Sequence, residues 1–118
     1  MRRLMLFSMF IALSSALASD PGYELTLGTE MRGGTLTVAP VLTAPANKRL
    51  RYDVVVTRSG RSGNSDSRQG GNVTVGANGT AGLSQVSISV GEGDRYDVSV
   101  KVYDGARLVA EKTARQPE

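Results

Sequence analysis

The side chains in this sequence that could do chemistry are its guanidinium, ammonium and carboxylate groups, because histidine and cysteine are absent from all 118 positions. That excludes a Ser-His nucleophile, imidazole- or thiolate-bound zinc, a CxxC redox pair and a disulfide framework. Glu92 and Asp94 are the one dense acidic pair, but they sit among Gly91 and Gly93 in a turn where solvation explains them, with too few oxygen ligands for calcium. Asp66, between Ser65 and Ser67, has no partner that titrates near neutral pH. No catalytic residue, cofactor or metal ligand is expected.

The cations are more informative. Residues 48 to 68 hold Lys48, Arg49, Arg51, Arg58, Arg61 and Arg68 against Asp53 and Asp66, a local charge of +4. Charge gathered in one part of a small domain orients a charged partner and raises its encounter rate. The bland explanation is a strand and loop kept basic for solubility.

Arg2 and Arg3 precede an apolar run, Leu4 to Leu17, that closes on Ala16-Leu17-Ala18. This is the pattern of a cleavable secretory signal peptide over residues 1–18, and the run is too short to span a bilayer. Its removal would leave a domain of 100 residues, Ser19 to Glu118, with twelve basic and eleven acidic side chains, a net of +1. Such a balance argues against nucleic acid as a partner, and nothing in the processed form calls for a membrane. With no Trp, no Phe after cleavage and no disulfide, the core must be aliphatic and held by packing and strand pairing alone.

The elements that must position these charges are short alternating runs punctuated by Gly, Asn, Asp and Pro, which makes the fold all-β. Strands are expected at 23–27, 35–42, 50–57, 72–75, 86–90, 96–102 and 107–112. Pro40 should place the second strand at an edge or bend it. In the third, Leu50, Tyr52, Val54 and Val56 should face the core, leaving Arg51, Asp53, Val55 and Thr57 to solvent. In the sixth, Tyr96, Val98, Val100 and Val102 should face in. Leu83 is out of phase with Val86, Ile88 and Val90, which suggests a bulge or a late start. Asp104-Gly105 favours a type I′ turn. The stretch Ser59 to Gly71, rich in Ser, Gly, Asn and Arg, is expected to be a loop that is mobile at its centre. Seven short strands at this spacing fit a single immunoglobulin-like β-sandwich over 19–118.

If the third, sixth and seventh strands share a sheet, its outer face brings Arg51, Lys101 and Arg107 close to Val55, Tyr103 and Val109. A partner-binding surface is therefore expected from Arg49, Arg51, Arg58, Arg61, Arg68, Lys101, Tyr103 and Arg107. Such arginines pair with carboxylates or cover aromatic rings.

The order and spacing of several motifs point to a family. Pro40-Val41-Leu42-Thr43, Tyr52-Asp53-Val54-Val55-Val56-Thr57-Arg58-Ser59-Gly60, Ser62-Gly63-Asn64-Ser65 and Arg68-Gln69 are followed by Ala77-Asn78, Leu83, Val86-Ser87-Ile88, Asp94-Arg95 and Val102-Tyr103-Asp104-Gly105. This series resembles the curli assembly chaperones of the CsgC and CsgH type over most of the processed chain. The resemblance implies a periplasmic, non-enzymatic immunoglobulin-like protein that keeps an amyloid-forming curli-type subunit from polymerising before export. One branch of that family carries a Cys-x-Cys pair where this chain has Lys48-Arg49-Leu50, so no redox role transfers and the CsgH branch is the nearer match. The competing expectation is an exported adhesive or ligand-binding module, for which only Tyr23 and Tyr103 offer aromatic platforms.

Overall fold

The computed structural model describes residues 17–61 and 63–116, and among these no residue is helical. In chain order the strands are β1 (Leu17–Ser19), β2 (Glu24–Thr26), β3 (Thr29–Arg32), β4 (Thr35–Val38), β5 (Val41–Thr43), β6 (Arg49–Gly60), β7 (Gly63–Thr74), β8 (Thr80–Gly82), β9 (Val86–Ser89), β10 (Arg95–Asp104) and β11 (Arg107–Gln116). The all-β expectation holds. The described residues form eleven strands in three sheets, however, where the sequence pattern gave seven strands. Of the segment read as a signal peptide, residues 1–16 lie outside the described residues. Leu17 and Ala18 supply backbone to β1, which pairs antiparallel with β11.

The larger sheet has the order β1-β11-β10-β6-β7. The two smaller ones, β2-β5-β8 and β3-β4-β9, lie end to end because the same three chain segments run through both. Each segment breaks at the same level. Gly28, Pro40 and Leu83 mark the breaks, and two hydrogen bonds bridge them: Ala39 N–H to the Gly28 carbonyl at 3.1 Å and Leu83 N–H to the Pro40 carbonyl at 3.0 Å. Gly28 has φ +61° and lies so close to the Ala39 carbonyl that a Cβ there would overlap it. Only glycine fits such a point. Pro40 thus bends its strand, the middle of the three, and is fully buried instead of lying at an edge.

Alternation builds one core between these layers. Leu50, Tyr52, Val54 and Val56 of β6 and Val98, Val100 and Val102 of β10 pack against Leu25, Leu36, Val38, Leu42, Ala81 and Val86. Each fully buried Val or Leu contributes about 1.5–3 kcal/mol. Among the described residues Tyr52 is the one aromatic side chain buried in the core, and its hydroxyl bonds Ser84 Oγ at 2.6 Å, tying β6 to the break that Leu83 opens.

Three expectations are corrected. Residues 63–74 are not a loop joined to a short strand but one continuous strand, paired with β6 from Gly60↔Gly63 to Arg49↔Thr74. Hydrophobic alternation could not reveal it, because Ser, Gly and Asn occupy both of its faces. The hairpin after β10 closes on Asp104↔Arg107, so its loop residues are Gly105 and Ala106. Gly105 has φ +63° and takes the first loop position, the pattern of a type II′ turn. Finally, a bulge opposite Val102 and Tyr103 puts both Val109 and Ala110 in the core and turns Leu108 outward. One extra residue reverses the phase of everything before it.

Candidate functional site

The register of the five-stranded sheet determines which charges meet on its outer face. β6 and β10 are adjacent, and β11 follows β10, so the expected third, sixth and seventh strands do share a sheet. Across it, Tyr103 stands opposite Arg51, Lys101 opposite Asp53, Ser99 opposite Val55 and Asp97 opposite Thr57. On the β11 side, Glu111 faces Lys101 and Arg115 faces Asp97. On the β7 side, Asn72 faces Arg51 and Arg68 faces Val55.

This places Arg49, Arg51, Arg68, Lys101 and Tyr103 on one surface. The Arg51 guanidinium lies over the Tyr103 ring, 4.3 Å from its centroid. Its Nη1 is 3.6 Å from Asp53 Oδ2. Stacking and ion pair together hold a long side chain in one geometry, which lowers the entropy lost when it meets a partner. Leu108, 37% exposed, replaces Val109 as the apolar spot beside Tyr103.

The face is not uniformly basic. Lys101 Nζ sits 3.9 Å from Glu111, and Arg115 Nε 3.0 Å from Asp97. Those carboxylates belong to the same alternating sets as the cations, and only the register shows that they neutralise one another. Among the described residues, no ion pair holds Arg49 or Arg68. Positive charge therefore leans toward β6 and β7, with Arg61 adding to it in their hairpin turn.

The other expected residues lie elsewhere. Arg58 shares parity with Val54 and Val56 and so points to the inner side. There Nη1 donates to the Ser89 carbonyl at 2.8 Å and Nε lies 4.0 Å from Asp94. Asp94 is buried and accepts the Gly91 N–H at 2.7 Å. Arg107 pairs with Asp104, one step past Tyr103↔Leu108, so alternation turns it away from the outer face. Its guanidinium bonds Asp20. Lys48 pairs with Asp104 at 2.7 Å, and that hydrogen bond and charge raise its pKa above the usual 10.5. The parity of Arg58 was readable in the sequence, whereas the outward turn of Leu108 depended on a bulge that no residue type announces.

A family model described as the thin aggregative fimbriae synthesis protein, Tafi-CsgC, matches residues 13–113. This chain belongs to the Tafi-CsgC family. The matched span takes in the whole of β1 to β10 and the outer face up to Thr113 of β11. The curli assembly protein CsgC of Escherichia coli strain K12 is 29% identical over 98 residues, which cover 83% of this chain and 86% of that protein. Among solved structures, the E. coli curli protein CsgC aligns with a TM-score of 0.62 at 26% identity, covering 81% of this chain and 99% of the other. The solution structure of R. palustris CsgH aligns with a TM-score of 0.59, covering 75% and 87% respectively, and at 23% identity shows likeness of fold alone. The Tafi-CsgC family is thus the one the motif order resembles.

Proposed function

We propose that this Tafi-CsgC family member is a periplasmic chaperone that delays polymerisation of amyloid-forming curli-type subunits, acting through the β6–β7 side of its outer face. The observation that carries this reading is the set Arg49, Arg51, Arg68 and Tyr103 on one rigid sheet, with Arg51 stacked on Tyr103. Early amyloid aggregates present stacked strands with repeating polar faces. A guanidinium held in place, as that of Arg51 is, pairs with a carboxylate on such a face without first having to be ordered.

The same reading takes residues 1–18 as the export signal and 19–118 as an immunoglobulin-like domain. Support for the latter is the facing of the bent three-segment layer by β11-β10-β6-β7 across one core. A non-enzymatic role agrees with the lack of His and Cys and with the name of the E. coli relative, a curli assembly protein.

Thioflavin T fluorescence of a purified curli-type major subunit tests the proposal. The domain at well below equimolar amounts should prolong the lag. R51E/R68E, if it melts like the parent, should need about tenfold more protein for the same delay, since reversing paired charges costs encounter rate and contact energy. An unchanged dose response would remove the charged face from the mechanism.

A further inference from the structure

The sheet edges of this molecule are treated unequally. Three of the four are short or broken. β1 has three residues, of which the proposed processing keeps only Ser19, and β11 behind it is interrupted by the bulge at Val109 and carries Lys112. β2 and β3 are separated at Gly28, and β8 and β9 are separated around Leu83. Breaks and short runs prevent a foreign strand from pairing along an edge. β7 is the exception, with twelve residues in unbroken register on β6 and no strand hydrogen-bonded to its other side among the described residues. It carries no proline, no lysine and no bulge, and of the devices that close an edge it has only the charges of Asp66 and Arg68. β9 approaches its inner side without pairing.

We propose that β7 is a strand-addition site, and that its occupant is an extended, polar, carboxylate-bearing strand of the amyloid-forming subunit. This rests on the chaperone reading above and names the contact through which it would work. Main-chain hydrogen bonds along twelve residues supply affinity, and flanking side chains supply selectivity. Those side chains are Asn64, Asp66, Arg68 and Asn72 on the outer face and Ser65, Ser67 and Gln69 on the other. Val73, the one apolar side chain of β7, packs against the core, and the others offer no apolar pocket, so the strand added along Asn64 to Asn72 must be polar on both faces. Arg49, Arg51, Arg61 and Arg68 outnumber Asp53 and Asp66 around this edge, which favours carboxylates on the incoming strand. Two copies of this chain would bring hairpins of the same net sign together, so a foreign strand is the better occupant.

Amide hydrogen exchange of the intact protein, with and without a purified curli-type major subunit, tests this directly. Alternate amides between Asn64 and Asn72, those pointing away from β6, should slow by about tenfold or more when the subunit is present. Ser67→Pro and Asp66→Pro provide the second arm. Alternation gives one of these neighbours an N–H that points outward, so one variant keeps the fold by circular dichroism while blocking the edge. That variant should lose about tenfold in the thioflavin T assay, because it leaves a backbone partner on the added strand unpaired. Unchanged exchange with the lag extension intact would overturn the edge site and leave the chaperone reading standing. No lag extension by the parent protein would overturn both. Protection of β7 that grows with the protein's own concentration and needs no subunit would make a second copy the occupant and overturn the proposal.

Discussion

Removing the Asp94 carboxylate should loosen one end of the core while leaving the outer face untouched. Its side chain is 4% exposed, accepts the Gly91 N–H at 2.7 Å and is the carboxylate nearest the Arg58 guanidinium, itself only 20% exposed. Arg58 Nε is buried with no hydrogen-bond partner among the described residues, so Asp94 is what offsets its charge. A hydrogen bond to a charged group contributes about 1.5–3 kcal/mol, and the ion pair at 4.0 Å to a guanidinium still 20% exposed adds little, so Asp94→Ala should cost about 2–3 kcal/mol. For a domain of this size that is a fall in Tm of about 8–24 °C. Gly60→Ala should act in the same direction, since a Cβ there would overlap the Asp94 carboxylate. The assay is thermal melting by circular dichroism of D94A, R58A and the double variant. The double should lose less than the sum of the singles, with a coupling of about 1 kcal/mol. Arg58→Ala should keep the thioflavin T lag extension wherever it remains folded. A D94A melting point within about 3 °C of the parent would refute the reasoning.

Leu36→Ala, at a position with no exposed surface, should cost about 2–5 kcal/mol in urea titrations, the range for emptied aliphatic sites. A double-mutant cycle on Arg51 and Tyr103 should yield a coupling of about 0.5–1 kcal/mol, as expected for an exposed cation–π pair, and Arg51→Lys should recover only part of it. Burial raises the Tyr96 pKa above its ordinary 10.0. The folded state thus binds this proton more tightly than the unfolded one, and the stability linked to it is intact below pH 10 and lost as pH rises through the raised value. Tm should fall more steeply above pH 10 in the parent than in Tyr96→Phe, and absorbance titration of the phenolate will locate the shift.

Strands with one apolar face were legible in the sequence. Leu50 to Val56 and Val98 to Val102 read directly from their period of two, and Arg51, Asp53 and Lys101 followed as outward residues. β7 was illegible because it is polar on both faces and is held as a strand by backbone pairing to β6, not by burial. The counter-ions of the outer face were visible as letters but not as neighbours, since only the register places Glu111 beside Lys101 and Asp97 beside Arg115. The bulge at Val109 misled for a different reason. A phase change needs no special residue, so Leu108 and Val109 exchanged roles without leaving a mark in the composition.

The sheet order has a practical corollary for attaching this molecule to surfaces and dyes. β1 lies at one border with β11 beside it, whereas β7 forms the opposite border. Four strand spacings of about 4.8 Å put roughly 19 Å between them. A biotin or fluorophore linked at Ser19 or Arg115 would therefore sit on the far flank, so a sensor chip loaded through either position would display β7 and the Arg61 turn toward the flowing solution.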